Sequence, residues 1–162
     1  MKTETVGTIR RDGEKRAVRY ERRYDATPDE VWAALTEPEQ VRNWFAEMTI
    51  EPRAGGSVTF QWATGETDGG VVRAFDPPRT FEYTWEDGSV IRFEVRPDGD
   101  GTRLVLDHTG LTPEQALGVG PGWHAHLDAL EALLAGSPQT APEWNARMES
   151  LKPAYEEQAK AL

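Results

Sequence analysis

The chain has 162 residues, no cysteine and a formal net charge of −10, from 18 Lys and Arg against 28 Asp and Glu. Disulfides, thiolate nucleophiles and Cys-based metal sites are thereby excluded. The acidic balance argues against a nucleic-acid partner or an anionic membrane surface, both of which call for a concentrated positive face. The length suits a single domain that buries a core without covalent staples.

In chain order, Thr5 to Arg11 and Lys15 to Tyr24 read as two strands around a tight turn at Asp12-Gly13. Val18, Tyr20, Arg22 and Tyr24 share one face of the second strand, which puts an Arg among apolar side chains. Thr27-Pro28-Asp29-Glu30 is a helix start: a capping Thr, a Pro suited to the first helical position, and acids at the positive end of the dipole. Pro38 opens a second short helix carrying Val41, Trp44 and Phe45, and the two helices read as a V-shaped pair.

Residues 47 to 109 alternate with a period of two, in Val58-Phe60-Trp62, Phe81-Tyr83-Trp85, Ile91-Phe93-Val95 and Leu104-Leu106-His108, with Val71 to Phe75 as a further strand. Asp87-Gly88 and Pro97-Asp98-Gly99-Asp100-Gly101 mark turns between them. After the capping signature Thr112-Pro113-Glu114 the chain turns helical, is interrupted at a hinge Gly118-Val119-Gly120-Pro121-Gly122, and continues as WHAHLDALEALLAG. There Trp123, Leu127, Leu130 and Leu134 form an apolar stripe. A last segment repeats that spacing at Trp144, Met148, Leu151 and Tyr155, with Pro153 expected to break or kink it.

An antiparallel sheet with one apolar face needs a cover, and the helix from Trp123 to Leu134 is the element long enough to supply it. The expected fold is therefore α+β: a curved antiparallel sheet gripping a long C-terminal helix, with two short helices after the first long strand and an extra helical tail. Residues 1–136 form the domain and 137–162 a tail packed on it. A bent sheet around one helix leaves room for a cavity.

ERRYDATPDEVWAALTEPEQVRNWF at 21–45, FDPPRTFEYTW at 75–85, GTRLVLDHTGL at 101–111 and GWHAHLDALEALLAG at 122–136 together resemble the helix-grip superfamily of START lipid-transfer domains, the major birch-pollen allergen and polyketide cyclases (SRPBCC). Within it the chain is similar to the bacterial branch named after the C-terminal domain of the ninety-kDa heat-shock-protein ATPase activator. The resemblance implies a small apolar or amphipathic ligand in an internal cavity and carries no shared catalytic motif.

Candidate cavity residues are Trp44, Phe60, Trp62, Tyr83, Trp85, Phe93, Leu106, His108, Trp123, His126 and Leu127, each of which alternatively packs the core. Among the aromatics, Trp44, Trp62, Tyr83 and Trp85 fit the wall best, because their polar tips need a partner. His108 and His126 are the candidates for proton transfer, by meeting across the cavity; otherwise each is a satisfied structural histidine. His124 falls on the polar helix face with Asp128 and Glu131, too far around the helix to share a metal with His126. Arg22 either anchors a ligand carboxylate or pairs with a structural one.

The glycines at 118, 120 and 122 fail the dinucleotide fingerprint, since Trp123 stands where its third Gly belongs. Ser57 lacks a nucleophile elbow. No metal or cofactor is expected. Through Asp25 eight basic side chains meet five acidic ones, either as a docking patch or as a solvated, ion-paired face. The apolar stripe of the tail pairs with a second copy or folds back on its own domain, so a monomer and a homodimer both remain open.

Three functions follow as expectations: a carrier or sensor for a small apolar or amphipathic molecule, a cyclase-, aromatase- or hydrolase-like enzyme in the same cavity, and a stimulator of a chaperone ATPase. No apolar run approaches the ~20 residues of a membrane span, and the segment MKTETVGTIRR has no signal-peptide core, so a cytoplasmic location is expected.

Overall fold

The computed structural model describes residues 7–62 and 64–162. Its strands are β1 (Thr8–Asp12), β2 (Lys15–Tyr24), β3 (Glu47–Ile50), β4 (Ser57–Gln61), β5 (Thr67–Asp76), β6 (Thr80–Thr84), β7 (Val90–Asp98) and β8 (Gly101–Leu111). Its helices are α1 (Pro28–Thr36), α2 (Pro38–Val41), α3 (Pro113–Leu134) and α4 (Ala141–Lys160). The expected start of the first strand, Thr5 and Val6, lies outside the described residues.

Every strand pairs antiparallel in one sheet of order β1-β2-β8-β7-β6-β5-β4-β3. Because β2 lies beside β8, the early and late parts of the chain meet inside the sheet, and α3 packs against both strands. This is the α+β helix-grip arrangement. The first hairpin turns one residue later than its Asp-Gly signal suggests: Asp12 pairs with Lys15, so Gly13-Glu14 is the turn, with Gly13 at φ +62°.

Both helix starts follow from their Thr-Pro signatures. Thr27 Oγ1 accepts from Glu30 N–H at 3.2 Å while the Glu30 carboxylate accepts from Thr27 N–H at 3.1 Å. Thr112 and Gln115 repeat the exchange at 3.1 and 2.9 Å. Each pair satisfies two donors that a helix terminus otherwise leaves open.

Three expectations about the helices are corrected. The glycine run does not act as a hinge, since α3 continues unbroken from Pro113 to Leu134. Glycine serves close approach and space there. A Cβ on Gly120 would stand 2.6 Å from the Tyr155 ring, and the Gly120 carbonyl accepts the Tyr20 hydroxyl.

Pro153 does not end α4 either. It faces solvent together with Glu149, whose carbonyl loses its helical donor, so water can take that acceptor. His124, expected on a wet face, is fully buried. The tail folds back as α4 onto α3, and Tyr155 Oη shares a 2.8 Å hydrogen bond with His124 Nδ1.

The same docking buries Trp144, Leu151 and Tyr155. Arg22 pairs with Asp128 at 2.8 Å, and Asp128 also accepts from Arg147 Nε at 2.9 Å, so Arg22 ties β2 to α3 and α4. The N-terminal basic residues are laced into ion pairs: Arg10 and Arg19 with Asp107, and Arg23 with Asp25, Asp98 and Asp100. Among the described residues no helix is long and apolar enough to cross a membrane.

Candidate functional site

Between the sheet and the N-terminal half of α3 lies a cavity of about 240 Å³. The sheet side contributes Trp62 just after β4, Trp85 just after β6, Ile91 on β7 and His108 on β8. The helix side contributes Gly118, Val119, Gly122, Trp123 and His126, and Phe45 and Met148 complete the lining. Gly118 is exposed and marks the mouth. An added Cβ at Gly118 or Gly122 would meet nothing within 4 Å, so the absence of side chains on this face of α3 helps to keep the space open.

Five of the sequence candidates come together here: Trp62, Trp85, His108, Trp123 and His126. Trp44, Phe60, Tyr83, Phe93, Leu106 and Leu127 do not line the cavity and sit in the packed core instead. The Trp44 indole, expected to need a ligand or water, donates to the Ala34 carbonyl at 2.7 Å. Phe60 and Phe93 lie on the same strand faces as the cavity residues but are filled over by rings. Phe60 packs against Phe45 at 5.2 Å and Phe93 edge-on to Trp123 at 5.8 Å.

Leu106 and Leu127 are fully buried in the core. Arg22 is drawn away by its structural carboxylate, Asp128. Sequence reading missed Phe45, Ile91, Val119, Met148 and the two glycines as wall. The available signal was Gly118 and Gly122 placed four apart on one helix face with bulky rings opposite.

The polar atoms of the wall have defined roles. Trp123 Nε1, which can only donate, gives its proton to His108 Nδ1 at 3.0 Å. His108 therefore carries its hydrogen on Nε2 and donates to Ser89 Oγ at 2.8 Å, and Ser89 Oγ donates to Asp87 Oδ1 at 2.5 Å. Serine, histidine and aspartate thus meet, but in an order that generates no nucleophile. The serine proton goes to the carboxylate, and the one histidine nitrogen able to take a proton is held by an indole. Burial lowers the His108 pKa to about 4, against a smaller upward pull from Asp87.

His126 is held differently. Its Nδ1 donates to the Trp44 carbonyl at 2.9 Å, and burial lowers its pKa to about 4, against a smaller upward pull from that bond. Trp123 approaches both histidines edge-on, with ring centroids 6.3 Å from His108 and 6.4 Å from His126. The expected His108–His126 pair does not form, since each ring has its own partner. Among the described residues no cluster of three or more His, Asp or Glu side chains is arranged to hold a metal.

Solved structures share this architecture, among them the following three. CalU16 from Micromonospora echinospora is 31% identical over 95% of this chain and 96% of its own, with a TM-score of 0.78. The protein encoded by BPP1335 of Bordetella parapertussis is 26% identical over 94% and 90%, with a TM-score of 0.72. The Aha1 dimer from Colwellia psychrerythraea shares the fold at 17% identity over 73% and 95%, with a TM-score of 0.65. Among curated proteins none matches. The model of the family described as "Activator of Hsp90 ATPase homolog 1-like protein" matches residues 25–135, which takes in α1 and α2, the sheet from β3 to β8 and all of α3, and the chain belongs to that family.

Proposed function

We propose that this protein binds a small, largely apolar ring compound in the cavity between α3 and the sheet, as a carrier or sensor. The observation that carries the reading is the cavity itself: about 240 Å³ walled by Phe45, Trp62, Trp85, Ile91 and Trp123. An apolar cavity of roughly 150 Å³ already holds benzene, so one or two fused rings are the size that fits. Apolar walls with very few polar anchors are the usual make-up of small-molecule sites. A cytoplasmic location and a monomeric or dimeric state belong to the same reading.

For the enzyme alternative, His108 has neither a free lone pair nor an unengaged proton, so proton transfer would fall to His126. A titration with toluene tests the proposal, read from the fluorescence of the six Trp. The expected result is a saturable change that Gly122→Leu abolishes while leaving the melting transition in place, since the new side chain grows into the open space. A wild-type protein that shows no saturable response up to the solubility of toluene overturns the reading.

A further inference from the structure

The walls of the cavity are nearly all hydrocarbon, and most of their polar atoms are already engaged. Trp62 Nε1 donates to Asp68 Oδ2 at 2.8 Å, Trp123 Nε1 to His108 Nδ1, and His108 Nε2 to Ser89. The exceptions are Trp85 Nε1, which makes no hydrogen bond with a described residue, and His126. The His126 Nδ1 proton is committed to the Trp44 carbonyl, a group that can only accept, and this fixes the tautomer. The Nε2 of the neutral ring is then a lone pair, and it makes no hydrogen bond with any described residue.

The ring lines the cavity, and its Nε2 keeps some accessible surface. Four aromatic rings hold the imidazole in place: Phe45 at 4.9 Å, Trp144 at 5.6 Å, Trp62 at 6.2 Å and Trp123 at 6.4 Å. An acceptor fixed in orientation in apolar surroundings strongly distinguishes ligands that donate to it from ligands that do not.

Resting on the ring-binding reading above, we infer that the cavity selects planar aromatic compounds bearing one O–H or N–H donor, of which phenol is the simplest, with His126 Nε2 as the acceptor. Carboxylates are disfavoured at this position, because a lone pair facing an anion gains nothing and the wall holds no cation. His126 acts here as a specificity-determining residue, through a hydrogen bond that leaves the ligand unchanged.

Wild-type protein with ¹⁵N-labelled histidine, titrated in parallel with phenol and toluene, tests this. Both compounds are expected to change the tryptophan fluorescence saturably, while phenol alone moves the His126 Nε2 resonance upfield, as hydrogen bonding to that lone pair requires. In His126→Leu, phenol affinity is expected to fall about tenfold more than toluene affinity. The labelled wild-type protein gives the answer even if that variant does not fold. If toluene binds and phenol leaves the His126 Nε2 resonance unmoved, the selectivity is overturned and the ring-binding function survives. If neither compound binds, the function and the selectivity fall together.

Discussion

The two halves of α3 face the same sheet and end in opposite states. From Leu127 to Leu130 the helix packs closely on the core. Leu127 and Leu130 are fully buried, and the Leu127 carbonyl accepts from Tyr24 Oη at 3.1 Å. Nearby, Arg22, Asp128 and Arg147 tie β2, α3 and α4 together. From Gly118 to His126 three positions lack side chains, and two of them, Gly118 and Gly122, border a space that opens beneath the helix. One amphipathic rod thus anchors the fold with its second half and leaves a hollow with its first. What separates them is side-chain volume at two glycines, for the backbone is helical throughout.

The largest effect expected from this contrast is a response to acid, because His108 and His126 both sit in the open half. Their folded pKa values are near 4, while an unfolded histidine titrates near 6.5. Between those values the unfolded chain binds more protons, so stability falls as pH is lowered through that window and is unaffected by these rings above it. Each ring contributes a loss of about 3 kcal/mol by pH 4. Urea midpoints measured from pH 7 to pH 4 check this, and His126→Gln is expected to flatten the slope. A slope that stays flat in the wild type would mean that the open half admits protonated rings.

Next in size is the packed half. Leu127→Ala is expected to cost about 3 kcal/mol, since a fully buried leucine leaves a void that rigid neighbours fill only in part. Chemical denaturation measures the loss, and toluene affinity is expected to stay within about twofold because Leu127 does not line the cavity. A large fall in affinity would show that the two halves are mechanically coupled.

Much of the scaffold is legible before any coordinates. The Thr-Pro starts of α1 and α3 announce themselves by local chemistry, and the alternating strands by their period. The cavity is harder to read, for a physical reason. Phe60 and Trp62 are indistinguishable by alternation, yet Phe60 is buried among Phe45, Tyr83 and Trp85 while Trp62, which also meets Phe45, borders the space. Which inward residue meets a neighbour depends on sheet curvature and on the volumes facing it across the interior, and neither is a property of one strand. His124 misleads similarly, because its polar surroundings on α3 acquire a lid only when α4 folds back. Pro153 and the glycine run look like breakers, but where one carbonyl can be left to water and small residues serve packing, a helix tolerates both.

The smallest expected effect is also the one that most sharply separates the two halves. Gly122 is helical, has no neighbour within 4 Å of a would-be Cβ, and carries an entropic cost that alanine does not. Gly122→Ala is therefore expected to stabilise the fold by about 0.5–1 kcal/mol, read as a higher denaturation midpoint. Toluene binding should weaken in the same variant, because the methyl group enters the ligand's volume. Opposite signs for stability and affinity from one methyl group would identify the glycine as kept for room. A gain in stability with affinity unchanged would place the ligand elsewhere, and a loss of stability would mean that the space beneath α3 is narrower than the geometry of Gly122 indicates.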